Sequence, residues 1–172
     1  MSAPLDEPPA DLADPAELLA AYLDYYRDVI LRKLDGMSEA ELRTSRLPSG
    51  WTPLQLLKHL TYVERRWFRW GFAAEQVSDP WGDHGAIERW HVEPDESPRE
   101  LVAAFLEQAD VSRTIAGSAR LSDPARYGGR FQEGRGPRPT LAWILFHVLQ
   151  EYARHAGHLD VVRELSDGAV GE

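Results

Sequence analysis

This sequence predicts an all-α fold, a four-helix bundle with long connections, on three observations. Four stretches repeat apolar residues at three- and four-residue steps. Three of those stretches open on one signature: Asp14-Pro15-Ala16-Glu17, Thr52-Pro53-Leu54-Gln55 and Ser97-Pro98-Arg99-Glu100. The cap side chain accepts from first-turn amides, Pro suits the first helical position, and Glu or Gln reaches back to the cap. Finally, no segment alternates apolar and polar residues convincingly as a strand would.

The first helix is expected over Pro15–Leu34, with Leu18, Leu19, Tyr22, Tyr26, Val29 and Ile30 on its stripe and Gly36 as its stop. A capping box from Ser38 to Glu41 predicts a short helical piece at 38–43. The second long helix is expected from 53 to about 74, with Leu56, Leu60, Val63 and Trp67 facing inward. The third spans about 98–116, carrying Leu101, Val102, Phe105, Ala109 and Val111. The fourth, capped by Thr140, spans about 141–165 with Ile144, Leu145, Val148, Tyr152, Leu159 and Val162, and ends near Gly168. None of the twelve prolines falls inside these patterns. Residues 1–13 are expected to be a flexible tail, and 14–168 one domain.

Two connections are too long for a plain up-and-down bundle. Residues 75–96 carry Trp81, His84, Trp90 and His91, and the tryptophans suggest packing back onto the bundle. Residues 117–139 carry Gly128, Gly129, Gly134, Gly136 and five arginines, which suggests a mobile or ligand-contacting flap.

Composition narrows the function. The chain has 172 residues, 43% hydrophobic and 27% charged, enough for a core without disulfides. Its net charge of −9 argues against a general nucleic-acid binder, which needs cations to displace phosphate counterions. The absence of cysteine excludes disulfides, Cys zinc sites, iron–sulfur clusters and a Cys nucleophile. The first residues have neither the basic nor the apolar region of a signal peptide, no membrane span is evident, and the expected location is the cytoplasm.

His59 sits in the middle of the second helix's stripe, so its ring should point inward. Taken alone, it reads as a core histidine with one satisfied hydrogen bond. The last helix changes the balance. Glu151 and His155 stand one turn apart on the face shared by Val148 and Tyr152. A carboxylate and an imidazole so spaced can close on one metal ion, and His59 is the obvious third ligand. His147 and His158 flank the pair as further ligands, as groups that orient the ligands, or as the catalytic base. The competing reading makes Glu151 an ion-pair partner of Arg154 on a solvated face.

Two segments carry a resemblance: Leu47-Pro-Ser-Gly-Trp-Thr-Pro-Leu-Gln-Leu-Leu-Lys-His59-Leu and Leu149-Gln-Glu151-Tyr-Ala-Arg-His155-Ala-Gly-His158-Leu-Asp-Val-Val-Arg-Glu-Leu. Through them the chain resembles the DinB-like superfamily of helical-bundle metalloproteins, in its mycothiol S-transferase-like branch with the mini-circle protein relatives. Many members of that superfamily use three histidines, and here Glu151 stands where one of them would be. The N-terminal domain of mycothiol-dependent maleylpyruvate isomerase has the same His, Glu, His set. The resemblance therefore implies His59, Glu151 and His155 as metal ligands and mycothiol as the thiol. That isomerase also has a C-terminal domain with catalytic contacts, for which 172 residues leave no room, so isomerisation is not expected to carry over. A homodimer is a further family expectation.

Zinc suits the two-nitrogen, one-carboxylate set best, and nickel, iron and manganese also accept it. The arginines of the second long loop, Arg130, Arg135 and Arg138 among them, read functionally as a fork for carboxylates of a thiol cofactor or substrate. The ordinary reading, favoured because arginine is common on surfaces, is a solvated loop. The leading expectation is a metal-dependent transferase joining a low-molecular-weight thiol to a small electrophile. A metal-hydroxide hydrolase and a non-catalytic small-molecule binding or interaction module are the alternatives.

Overall fold

The computed structural model describes residues 5–86 and 88–170. Among these described residues five α-helices follow one another: α1 Pro15–Leu34, α2 Glu39–Leu42, α3 Pro53–Glu64, α4 Pro98–Gly117 and α5 Leu141–Asp167. Among the described residues there is no strand, only isolated bridges within the long connections. The first four residues of the expected tail lie outside the described residues, and residues 5–13 form no helix.

The helix starts are built as the capping signatures require. Asp14 Oδ1 accepts from the amides of Ala16 and Glu17 at 2.9 and 3.0 Å. Ser38, Thr52 and Ser97 each close a full capping box, with Glu41, Gln55 and Glu100 respectively. Thr140 accepts from Trp143 to start α5, which stops at Gly168.

The long helices pair as α1 on α5 and α3 on α4, and α3 meets α5 across the middle. Their inward stripes form a continuous core that includes Leu23, Ile30, Leu56, Leu60, Phe68, Phe105, Ile144, Val148, Tyr152 and Leu159. Transfer of apolar area from water, at roughly 25 cal/mol per Å², drives this assembly. Among the described residues no helix is long and apolar enough to cross a membrane.

The second long helix departs from expectation. It is α-helical only to Glu64 and continues as a π-helical segment, Arg65–Phe72. The Ala73 amide accordingly donates to the Phe68 carbonyl at 2.9 Å, five residues back. Gly71 allows this winding, because a Cβ there would lie 2.9 Å from the Arg66 carbonyl oxygen. The wider turn changes the directions in which Arg66, Trp67 and Trp70 leave the helix, and π segments are frequent at functional sites.

The second long connection is not a free flap. The Arg126 amide donates to the Phe72 carbonyl (2.9 Å) and the Arg130 amide to the Trp70 carbonyl (3.0 Å), so the loop is stitched to the π segment. Gly129 is required at this seam. Its φ is +49°, and a Cβ would come within 2.2 Å of the Trp70 carbonyl oxygen.

Candidate metal centre

α3 delivers His59 and α5 delivers Glu151 and His155 to one point, where each offers a ligand atom within 4.8 Å of the others. His155 Nε2 lies 3.3 Å from Glu151 Oε2. The His59 and His155 rings meet edge to face, with centroids 5.3 Å apart. His155 is buried, while His59 and Glu151 are partly exposed, so the cluster lies just below the surface. Glu151 does not belong to a solvated face: its side chain is 21% exposed and lies against the His155 and His147 rings.

Each imidazole is held through its other nitrogen. His59 Nδ1 is 2.9 Å from Asp83 Oδ2, which leaves Nε2 for the cluster. Asp83, fully buried, is gripped by Arg66, with Nη1 to Oδ1 at 2.5 Å and Nη2 to Oδ2 at 3.1 Å. His155 Nδ1 is 3.2 Å from His158 Nδ1. Such partners fix ring orientation and tautomer, and their loss typically costs about 10–100-fold in metal affinity. Replacing Asp83 with asparagine is therefore expected to weaken metal binding by about that factor while His59 stays in place. Competition with a chromogenic chelator measures it, and unchanged affinity would show that Asp83 does not orient His59.

The electrostatics favour a cation. The Glu151 carboxyl is held below its ordinary pKa, first by the hydrogen bond to His155, against burial. Burial lowers the His59 pKa, outweighing the opposing pull of Asp83. Burial would raise the Asp83 pKa, but hydrogen bonds from His59 and Arg66 hold it below the usual range. His147 and His158 are lowered chiefly by burial. Within the cluster, burial thus favours the neutral form of His59 while Glu151 is held as the carboxylate. A second grouping, His59 with Asp83 and His84, has the same reach. It suits a cation less well, because the Asp83 charge is already neutralised by Arg66.

Aromatic rings wall the cluster. Trp90 stacks on His59 at 4.0 Å and 21°, and stands edge to face with His155 at 5.3 Å. Trp51 adjoins Trp90 and His158. A cleft of about 600 Å³ shares Trp51 and Trp90 and adds Gln55, His84 and His91. On the other side, His147 stacks on Trp143 at 5.1 Å and 6°, and its ring lies 4.5 Å from Trp67.

His147 and His158 both adjoin the cluster in different ways. His147 Nε2 is 3.9 Å from Glu151 Oε1, and His158 bonds to His155. Of the loop arginines, Arg130 lies over Trp67, its guanidinium carbon 4.1 Å from the ring centroid. Arg135 is exposed, and Arg138 lies on Tyr127 at 3.9 Å. Among the described residues, no hydrogen bond, ion pair or ring contact joins Arg135 or Arg138 to the cluster. Asp83 and Arg66 escape sequence reading. The only signal was an acid beside His84 in a tryptophan-rich loop, and Arg66 looks like any helix-surface arginine until the π turn redirects it.

The fold and site define a class: an all-helical bundle with a His–Glu–His cluster shared between two of its helices. Residues 18–168 match the family model described as mycothiol-S-transferase, and the chain belongs to that DinB-like family. A solved structure, a conserved protein from Enterococcus faecalis, is similar in fold. It shares 17% sequence identity and a TM-score of 0.64, over 91% of this chain and 99% of that one. No curated protein matches the chain.

Proposed function

We propose that the protein is a metal-dependent transferase that joins a low-molecular-weight thiol, mycothiol, to an electrophilic small molecule. His59, Glu151 and His155 would hold a divalent ion of the zinc type. The observation that carries this reading is the convergence of these three donors within 4.8 Å, with the outer nitrogen of each imidazole already engaged. Two neutral imidazoles and one carboxylate leave a divalent ion with a net positive charge, which favours an anionic ligand at its open positions. When bound, such an ion lowers the pKa of a thiol and supplies it as thiolate at neutral pH. The chain has no cysteine, so the sulfur must come from a second molecule.

The protein's own groups complete the chemistry. Asp83 and His158 hold the two rings, and Trp90 and Trp67 wall the approach beside His59 and His147. His147 is the better base of the two flanking histidines. Its pKa is lowered by burial, so it is neutral and free to take the S–H proton on Nε2. His158 has one ring nitrogen engaged by His155.

Metal-loaded protein incubated with mycothiol and a panel of electrophiles is expected to consume thiol well above the protein-free rate, and to stop on chelation. Thiol consumption that never exceeds the protein-free rate, or that ignores the chelator, would overturn the reading.

A further inference from the structure

Among the described residues, Arg130 is a half-buried cation without a counter-ion. The fully buried cations Arg27, Lys58 and Arg66 are each paired with a carboxylate. Arg130 has no such partner among the described residues, and its Nη1 is buried with no hydrogen bond. Its guanidinium carbon lies 4.1 Å from the Trp67 ring centroid, 5.9 Å from Trp70 and 6.0 Å from Trp81. Indole faces attract the charge but accept no in-plane hydrogen bond from the fork. The charged neighbour is Arg66, a like charge already committed to Asp83. Burial and Arg66 together lower the Arg130 pKa, yet a guanidinium stays charged at any working pH.

The position is built rather than incidental. The loop that carries Arg130 is stitched to the π segment, at a seam only glycine fits. Arg130 also sits on the cluster's side of the molecule. Trp67 lies between it and His147, and its charge is felt at His147.

We propose that Arg130 anchors a carboxylate of the small-molecule electrophile, so that the centre selects carboxylate-bearing substrates. The assignment to the electrophile rests on the thiol-transfer reading. There, the thiolate's charge meets the ion held by His59, Glu151 and His155, and the charge of Arg130 is left for a second anion. The anion site itself does not need that reading. One guanidinium supplies a single positive charge and a planar fork that fits a carboxylate. A phosphate dianion would keep an uncompensated charge against indole rings.

The test titrates acetate, succinate, inorganic phosphate and mycothiol by calorimetry into wild type, Arg130→Gln and Arg130→Lys, each metal-loaded and chelated. Carboxylate affinity is expected to fall about ten- to a hundredfold in Arg130→Gln, less in Arg130→Lys, and to survive chelation in wild type. Should Arg130→Gln melt below the assay temperature, the Arg130→Lys loss carries the test, because charge is kept and only the fork is removed. Equal carboxylate affinity in the variants, phosphate binding tighter than carboxylate, or an Arg130→Gln defect confined to mycothiol binding would overturn the proposal. Arg130-dependent carboxylate binding without metal-dependent thiol consumption would overturn the transferase reading and leave the anion site standing.

Discussion

Glu151→Ala is expected to lose more than about 100-fold in metal affinity, a larger effect than removing a group that only orients a ligand. Two imidazoles from different helices would remain, with no anionic donor between them. Elemental analysis after gel filtration should find stoichiometric metal in wild type and little in the variant. A thermal readout separates ligand loss from misfolding. A free metal concentration about a hundred times Kd stabilises the folded state by about 2.7 kcal/mol, or roughly 5–10 °C in Tm for a chain of this size. Wild type should show that shift on metal addition, and Glu151→Ala should not. The metal-free melting temperature should move little, because Glu151 is partly exposed and its close partners are the His155 and His147 rings. A variant that binds metal as wild type does would remove Glu151 from the centre. The consequences for thiol transfer and for hydrolysis would follow together, since both need the same three donors.

The parts of the molecule set by local rules were legible in the sequence. Caps at Asp14, Ser38, Thr52, Ser97 and Thr140 lie within a few residues of the amides they satisfy, so they can be read from the chain directly. The spacing of Glu151 and His155 is likewise a property of one helix. His59 needed the additional step of placing its face inward, which the neighbouring leucines supplied. The π segment was not legible, because a shift from four- to five-residue bonding follows from tertiary packing and leaves the apolar stripe almost intact. Asp83 was missed for a related reason. It reaches His59 only through the path of a loop, across 24 residues of sequence. Arg130 was one of five arginines of equal appearance until the loop's attachment to Trp70 separated it from Arg135 and Arg138.

The largest loss of stability should come from a polar network that the apolar pattern conceals. Glu64, 1% exposed, accepts from Arg27 Nε at 2.9 Å, from Arg27 Nη2 at 3.1 Å and from the Tyr152 hydroxyl at 2.6 Å. Arg27 is 3% and Tyr152 1% exposed, so α1, α3 and α5 are joined in the core by groups that water cannot reach. Burial alone would lower the Arg27 pKa, but the Glu64 charge and hydrogen bond more than offset it and raise it above its ordinary value. Burial and the Glu64 charge also push the Tyr152 phenol well up, so it stays protonated and donates. Glu64→Ala would leave the buried Tyr152 hydroxyl without its acceptor and the buried Arg27 guanidinium with only the part-exposed Asp24, 2.5 Å from its Nη1, as a carboxylate partner. The expected cost is about 3–5 kcal/mol, a large share of the roughly 5–15 kcal/mol that holds such a domain folded. Urea denaturation followed by circular dichroism measures it. Adding Arg27→Met to make the double variant should recover much of the loss, because the buried charge left with Asp24 alone is then removed as well. If Glu64→Ala alone costs less than about 1 kcal/mol, or the second substitution makes matters worse by its full independent amount, the pair does not act as a coupled buried bridge. Glu64, gripped by Arg27 and Tyr152 in the core, thereby differs from Glu151, which is partly exposed one turn from His155 on α5 and is the carboxylate proposed for the ion.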